Sequence, residues 1–431
     1  MGLKNLTALV LVMGASISTN LLAQSSYLVH CGQLFDSETA AIEEDRYLLI
    51  EDNVIKDVLD APLNDPELPL IDLSSYLVTP GWIDMHVHLE TEYDKNTYLR
   101  RFRVEQGYKA LKAFANGQKL LKAGFTTVRD LGGSGANNSL RNAINNGLVE
   151  GPRIISCRKA IAITGGHADP SNGMSLKYQV ETDYKNGVCD GPEECAKAVR
   201  WQVKQGADCI KITATGGVLS VARDGDGPAF SEEELEAIIN TAKDRGVHTA
   251  AHAHGKKGML RAVKAGITTI EHGTYMDEEV MAAMLEMGTY YVPTITAGWA
   301  VAENAKKEGF YPDVVRPKAL RIGPQIQETF ARAYAYGVPI AFGTDSGVFD
   351  HGMNAKEFEL MAEAGMPILE ALQSATFTNA RVLGMEEEIG QLASGFLADL
   401  VAVPKGALED PSLLMEVKFV LKDGKIVDLD K

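Results

Sequence analysis

The run Pro80-Gly-Trp-Ile-Asp-Met-His86-Val-His88 carries two histidines one residue apart. In a strand, residues i and i+2 point to the same side. His86 and His88 would then face one way, and two imidazoles at one strand end can share a metal. The pattern recurs in Val247-His248-Thr-Ala-Ala-His252-Ala-His254. Here His252 and His254 share a face, and either could be the ligand; His248, at the strand start, reads as structural. A single histidine, His272, closes Thr268-Thr-Ile-Glu-His, and a single aspartate, Asp345, closes Ile340-Ala-Phe-Gly-Thr-Asp. Lys211 lies inside the apolar run Ala207-Asp-Cys-Ile-Lys-Ile-Thr. Lysine is rarely buried without a partner, and burial pushes an amine toward neutrality. A neutral amine can add carbon dioxide, and the resulting carbamate is an anionic oxygen ligand able to bridge two cations. A lysine at a strand end can also simply reach out to solvent.

What gives these residues joint meaning is their placement. Between about Val78 and Met385, short apolar runs alternate with amphipathic stretches. Candidate strands end at His88, Asp130, Cys157, Thr213, His252, His272, Thr294 and Asp345. Ser231 and Glu234 have the spacing of a capping box at a helix start. Eight strands alternating with helices predict an α/β fold, a (β/α)₈ TIM barrel over residues 78–388. The candidate ligands fall at the ends of the first, fourth, fifth, sixth and eighth strands, and in such a barrel those ends converge on one mouth. Both termini read differently. Residues 24–77 and 389–431 are strand-rich, with hairpin signals at Asp52-Asn53 and Asp423-Gly424. They predict one small composite β-sandwich domain. Residues 166–192, rich in Gly, Asp and Asn, predict a long loop of the kind that often carries function.

Lys4, the apolar run Leu6–Ile17 and the small-residue site before Gln24 predict a signal peptide over residues 1–23. Export to the periplasm or medium follows. The net charge of −16, with no block of basic residues, argues against nucleic acid and anionic membranes as partners. The five cysteines are irregularly spaced and do not form a disulfide framework. Cys189 and Cys195 flank a turn, so a local bridge and free buried thiols both stay open.

The order His-x-His, Lys, His, His, Asp at these strand ends resembles the amidohydrolase superfamily. Thr376-Phe-Thr-Asn379-Ala-Arg-Val-Leu-Gly384 and Gly390-Gln-Leu-Ala-Ser-Gly395-Phe-Leu-Ala-Asp399 resemble its return to the β domain. Thr164-Gly-Gly-His167, Lys211-Ile-Thr-Ala-Thr-Gly-Gly217 and Ala251-His252-Ala-His254-Gly are similar to its imidazolonepropionase-related branch of prolidase-like dipeptidases, carboxypeptidases and ochratoxin-type amidases. The resemblance implies two divalent ions, by default zinc. His86 and His88 would hold one and His252 and His272 the other. Lys211, as N6-carboxylysine, would bridge them, and Asp345 would bind the first. It implies attack of a bridging hydroxide on the amide of a dipeptide or N-acyl amino acid, with Asp345 as general base and then acid. His167 and His254 would touch substrate. Some relatives carry an aromatic hydroxyl before the position of Ser231; here it is Phe230, which removes that group from carboxylate recognition. The competing reading is a cyclic-amide hydrolase of imidazolonepropionase type, or a deaminase; Lys211 argues against both. The resemblance also admits a homo-oligomer.

Overall fold

The computed structural model describes residues 26–430 except 101, 180 and 221–224. The expected leader lies outside the described residues. Four strands come first: β1 (Ser26–Asp36), β2 (Ala41–Glu51), β3 (Val54–Leu59) and β4 (Leu70–Pro80). Seven shorter ones follow: β5 (Trp82–Val87), β6 (Phe125–Asp130), β7 (Arg153–Ser156), β8 (Cys209–Thr213), β9 (His248–Ala253), β10 (Thr269–His272) and β11 (Tyr290–Val292). Then come β12 (Leu400–Pro404), β13 (Phe419–Lys422) and β14 (Lys425–Ile426).

Strands from both ends of the described chain join one seven-stranded sheet, ordered β14-β13-β12-β4-β1-β2-β3. The sequence predicts two facing sheets, whereas one continuous ladder is found. The reason is β4. Its first part pairs parallel with β1, and its last part pairs antiparallel with β12. Both predicted hairpins form. Asp52 at φ 54° turns β2 into β3, and Asp423 and Gly424, at φ 48° and 72°, turn β13 into β14.

Strands β5 to β11 are buried almost without interruption, as parallel strands covered by helices must be. They form two parallel sheets, β5-β6-β7 and β11-β10-β9-β8, with helices between them. The helix Glu232–Asp244 begins with the predicted capping box of Ser231 and Glu234. The architecture is mixed α/β. Among the described residues there is no closed eight-stranded sheet: the predicted eighth strand is not regular, and β7 and β8 are not paired as strands. The backbone of the eighth segment still reaches both sheets. The Ala341 N–H donates to the Tyr291 carbonyl (2.9 Å) on one side, and the Asp345 N–H donates to the His86 carbonyl (2.7 Å) on the other. Between β7 and β8, the Asp208 N–H donates to the Ser156 carbonyl (2.8 Å). A disulfide, Cys157–Cys209, crosses the same gap. Cys189 and Cys195 are bridged too, so the free-thiol alternative fails for them, and Cys31 alone is free and buried. No helix among the described residues is long and apolar enough to cross a membrane.

Candidate active site

All eight residues singled out from the sequence line one cavity of about 660 Å³: His86, His88, His167, Lys211, His252, His254, His272 and Asp345. That volume suits a small-molecule ligand. The ligand atoms of His86, His272 and Asp345 lie within 4.8 Å of one another, close enough to share a cation. Asp345 Oδ1 is 3.5 Å from His86 Nε2 and 3.3 Å from His88 Nε2. Lys211 Nζ is 3.5 Å from His86 Nε2. His252 stands outside the tightest trio, with its ring centroid 4.6 Å from that of His272.

Each candidate histidine ligand has one ring nitrogen occupied by the protein. His88 Nδ1 meets the Gly132 carbonyl at 2.9 Å, and His252 Nε2 meets the Gly216 carbonyl at 3.0 Å. A carbonyl only accepts, so those nitrogens carry the proton in the neutral ring, leaving the lone pair on the other nitrogen. His272 Nδ1 pairs with the Thr294 hydroxyl at 2.8 Å. His86 Nδ1 lies 2.9 Å from Glu271 Oε2, although its N–H is aimed off the line of an ideal hydrogen bond. Glu271 is itself held by Arg129 Nη2 at 2.9 Å, and both side chains are fully buried. This is the outer-shell pattern that orients metal-binding imidazoles.

The charges agree with that role. Burial, aided by Lys211, pushes His86 down to about 4, and burial holds His252 and His272 well below their ordinary value. All three rings are neutral donors at neutral pH. Burial alone would raise the Asp345 carboxyl, but His86, His88 and Lys211 outweigh it and hold it low. Burial lowers the Lys211 amine to about 8, against the pull of Glu271 and Asp345. Neutral imidazoles, one carboxylate and an amine ready to lose its proton suit divalent-cation chemistry.

Several partners were not singled out from the sequence. Arg129 and Glu271 sit where strand alternation points them inward, Glu271 two residues from Thr269, whose hydroxyl also meets Arg129. His272, Thr294 and Asp345 all have positive φ, at 72°, 55° and 59°. Non-glycine residues rarely hold this conformation, and where they do, it clusters at functional sites. The turn at His272 explains how neighbouring Glu271 and His272 both reach His86. His254, expected to face substrate, is buried, with Nδ1 2.7 Å from the Thr274 hydroxyl. His167, from the long loop, stacks on His252 with centroids 4.4 Å apart. Gly217 makes room for it: a β-carbon there would stand 2.2 Å from the His167 ring. Phe230 is buried and offers no hydroxyl.

The sequence profile of the amidohydrolase family matches residues 77–427. An ochratoxinase of Aspergillus niger is 33% identical over 368 residues, covering 81% of this chain and 75% of the relative. An imidazolonepropionase of a Shewanella species is 27% identical over 215 residues, 46% of each chain. Among solved structures, a Xaa-Pro dipeptidase with methionine bound in its active site superposes with a TM-score of 0.91. It is 47% identical, covering 94% of this chain and all of that one. The chain belongs to the amidohydrolase family. It is a hydrolase acting on amide bonds.

Proposed function

We propose that this is an exported, binuclear metal-dependent hydrolase that cleaves the amide of a dipeptide or N-acyl amino acid. We read its two parallel sheets and the 339–346 segment as a (β/α)₈ barrel, residues 78–388, with residues 24–77 and 389–431 as a second domain. One observation carries the reading: in each of four cavity-lining imidazoles a protein group meets one nitrogen, and in His86 and His88 the other nitrogen lies 3.5 and 3.3 Å from the Asp345 carboxylate. His86, His88 and Asp345 would hold one ion, and His252, through Nδ1, and His272 the other. Lys211 would lie between them as the carbamate, formed when its neutral amine adds carbon dioxide and releases a proton. Zinc fits these nitrogen and oxygen donors. When bound, such ions lower the pKa of water and polarise a carbonyl.

The chain's own groups supply the rest. Asp345, ionised at neutral pH, can take a proton from the attacking water and pass it to the leaving amine nitrogen. His167 and His254 line the cavity beside His252, where they can hold the scissile carbonyl or a substrate polar group. The test is metal content of the purified protein, with turnover of dipeptides, N-acyl amino acids and cyclic amides, for wild type and Lys211→Ala. About two ions per chain, dipeptide turnover, and loss of metal and activity in the variant are expected. One ion per chain, unchanged in Lys211→Ala, with turnover of cyclic amides instead, overturns the proposal in favour of imidazolonepropionase-type or deaminase chemistry.

A further inference from the structure

The gap between β7 and β8, which are not paired as strands, is closed at two levels. At the lower level the Asp208 N–H donates to the Ser156 carbonyl at 2.8 Å. At the upper level the Ile161 N–H donates to the Lys211 carbonyl (2.8 Å), and the Thr213 N–H donates to the Ile161 carbonyl (3.0 Å). Between them the chain turns left-handed at Arg158, φ 62°, and the Arg158 carbonyl accepts from the Gly133 N–H at 2.6 Å. The Cys157–Cys209 bridge spans this stretch. Strand alternation sets Cys209 on the same face as Lys211 and Thr213, and both of those line the cavity. The strand rise puts Cys209 about 7 Å beneath Lys211. The register agrees: Ala250, opposite Lys211, stands two residues before His252 on β9. Cys157, Cys209, Ala250 and Leu131 form one fully buried cluster, and Leu131 also lines the cavity. The bridge therefore lies in the layer of side chains directly under the site. Two sulfurs that share a bond sit closer than two thiols in contact by roughly 1.5–2 Å. Once opened, the pair needs that space in a layer with none to spare, so β7 or β8 must shift. Ile161 is bonded to Lys211 just beyond the turn at Arg158, so a shift of either segment reaches Lys211. The ladder between β8 and β9 passes it on toward His252.

We propose that the bond between Cys157 and Cys209 fixes the position of Lys211, so that the site is complete only in the oxidised protein. This rests on the binuclear-hydrolase reading above. The two cysteines are positioning residues, since neither lines the cavity. A displacement of about 1 Å at a reacting group costs about a hundredfold in rate. Opening the bridge takes two electrons and two protons from an external dithiol, which leaves as its own disulfide; an external disulfide restores the bridge by the reverse exchange. Reducing compartments keep such thiols open, so a chain that folded before export would stay inactive until it met an oxidant.

The experiment uses full-length protein carrying Cys189→Ala and Cys195→Ala, which leaves this bridge and the free Cys31. Denatured, such a chain shows one thiol when the bridge is closed and three when it is open. Three forms are compared: oxidised protein, protein refolded in dithiothreitol and desalted without air, and a further variant with Cys157→Ala and Cys209→Ala. The alanine pair has neither the bond nor the bulk of two thiols. Each form is loaded with zinc and bicarbonate, then read for zinc per chain, kcat on the dipeptide Ala-Leu, and hydrogen exchange at the Ile161 and Thr213 amides. The dithiol form should lose kcat at least about tenfold and bind less zinc, with faster exchange at both amides. The alanine pair should keep zinc and kcat near the oxidised values, although it too has lost the crosslink. A dithiol form that matches the oxidised one in zinc and kcat overturns the proposal. Equal losses in the dithiol and alanine forms overturn it as well, because the bridge then acts through stability alone. If the oxidised form neither binds zinc nor cleaves dipeptides, the binuclear reading fails, and exchange decides the bridge by itself. Faster exchange in the dithiol form alone supports the positioning role, and any other pattern overturns it.

Discussion

Glu271→Gln separates the work of the outer shell from that of the ligands. Glu271 is fully buried and does not itself line the cavity, yet its two oxygens meet Arg129 and His86 at 2.9 Å each. Glutamine keeps the shape and one carbonyl acceptor but turns an NH₂ toward one of two donors. Arg129 would then be buried without its counter-charge, which costs about 3–5 kcal/mol. The carboxyl itself gives a second figure. Burial would raise it, but Arg129 and His86 carry it down from 4.5 to about 2, a drop worth about 3 kcal/mol. The folded value is depressed, so this stability is fully present above the unfolded value and is lost as pH falls from about 4.5 toward 2. Urea denaturation of metal-free protein should therefore show the variant about 3 kcal/mol less stable at pH 7, with the gap narrowing below about pH 4.5. Chelator competition should show zinc held roughly 10–100-fold more weakly, because the His86 ring has lost its orienting partner. Equal midpoints at pH 7 together with equal metal affinity would refute both parts of this account.

The disulfide between Cys157 and Cys209 closes 52 residues, and that between Cys189 and Cys195 closes six. By loop entropy, Cys157→Ser should cost roughly 4 kcal/mol and Cys189→Ser roughly 2 kcal/mol. Denaturation midpoints in that order, converging when wild type is reduced, are expected; no loss in Cys157→Ser would mean the bridge is absent in solution. Gly217→Ala should displace the His167 ring, raising KM while leaving metal content unchanged; an unchanged KM would remove His167 from substrate contact. Thr294→Ala removes the hydroxyl beside His272 Nδ1 and should weaken metal binding about 10–100-fold; retained affinity in a chelator titration would show that the hydroxyl does not fix the ring.

Much of this was legible because strand alternation is a rigid rule. His86, Lys211 and His252 follow it, so spacing alone brings them to one cavity with His88 and Asp345. The capping box at Ser231 and both hairpins rest on equally local chemistry, and both form. What the spacing could not carry is set by long-range geometry. Glu271 stood in view beside His272, but only its contacts with Arg129 in β6 and His86 in β5 give it a role. Cys157 and Cys209 are 52 residues apart, and only the gap between the two parallel sheets brings them together.

The left-handed turns at His272, Thr294 and Asp345 are the clearest case of what local propensity hides. Histidine, threonine and aspartate have no need of that conformation, and threonine, branched at Cβ, resists it. The strain, of order 1–3 kcal/mol per residue, is held by what surrounds it. The Thr294 N–H donates to the Gly343 carbonyl at 3.1 Å, and the Asp345 N–H to the His86 carbonyl at 2.7 Å. Asp84 accepts from the Thr344 N–H and hydroxyl and the Asn354 amide, fixing the segment just before Asp345. A strand that continued straight would turn His272 away from His86 and Asp345 away from His88. The sequence therefore tells which residues can bind a metal, whereas the backbone turns that aim them depend on contacts up to 270 residues apart.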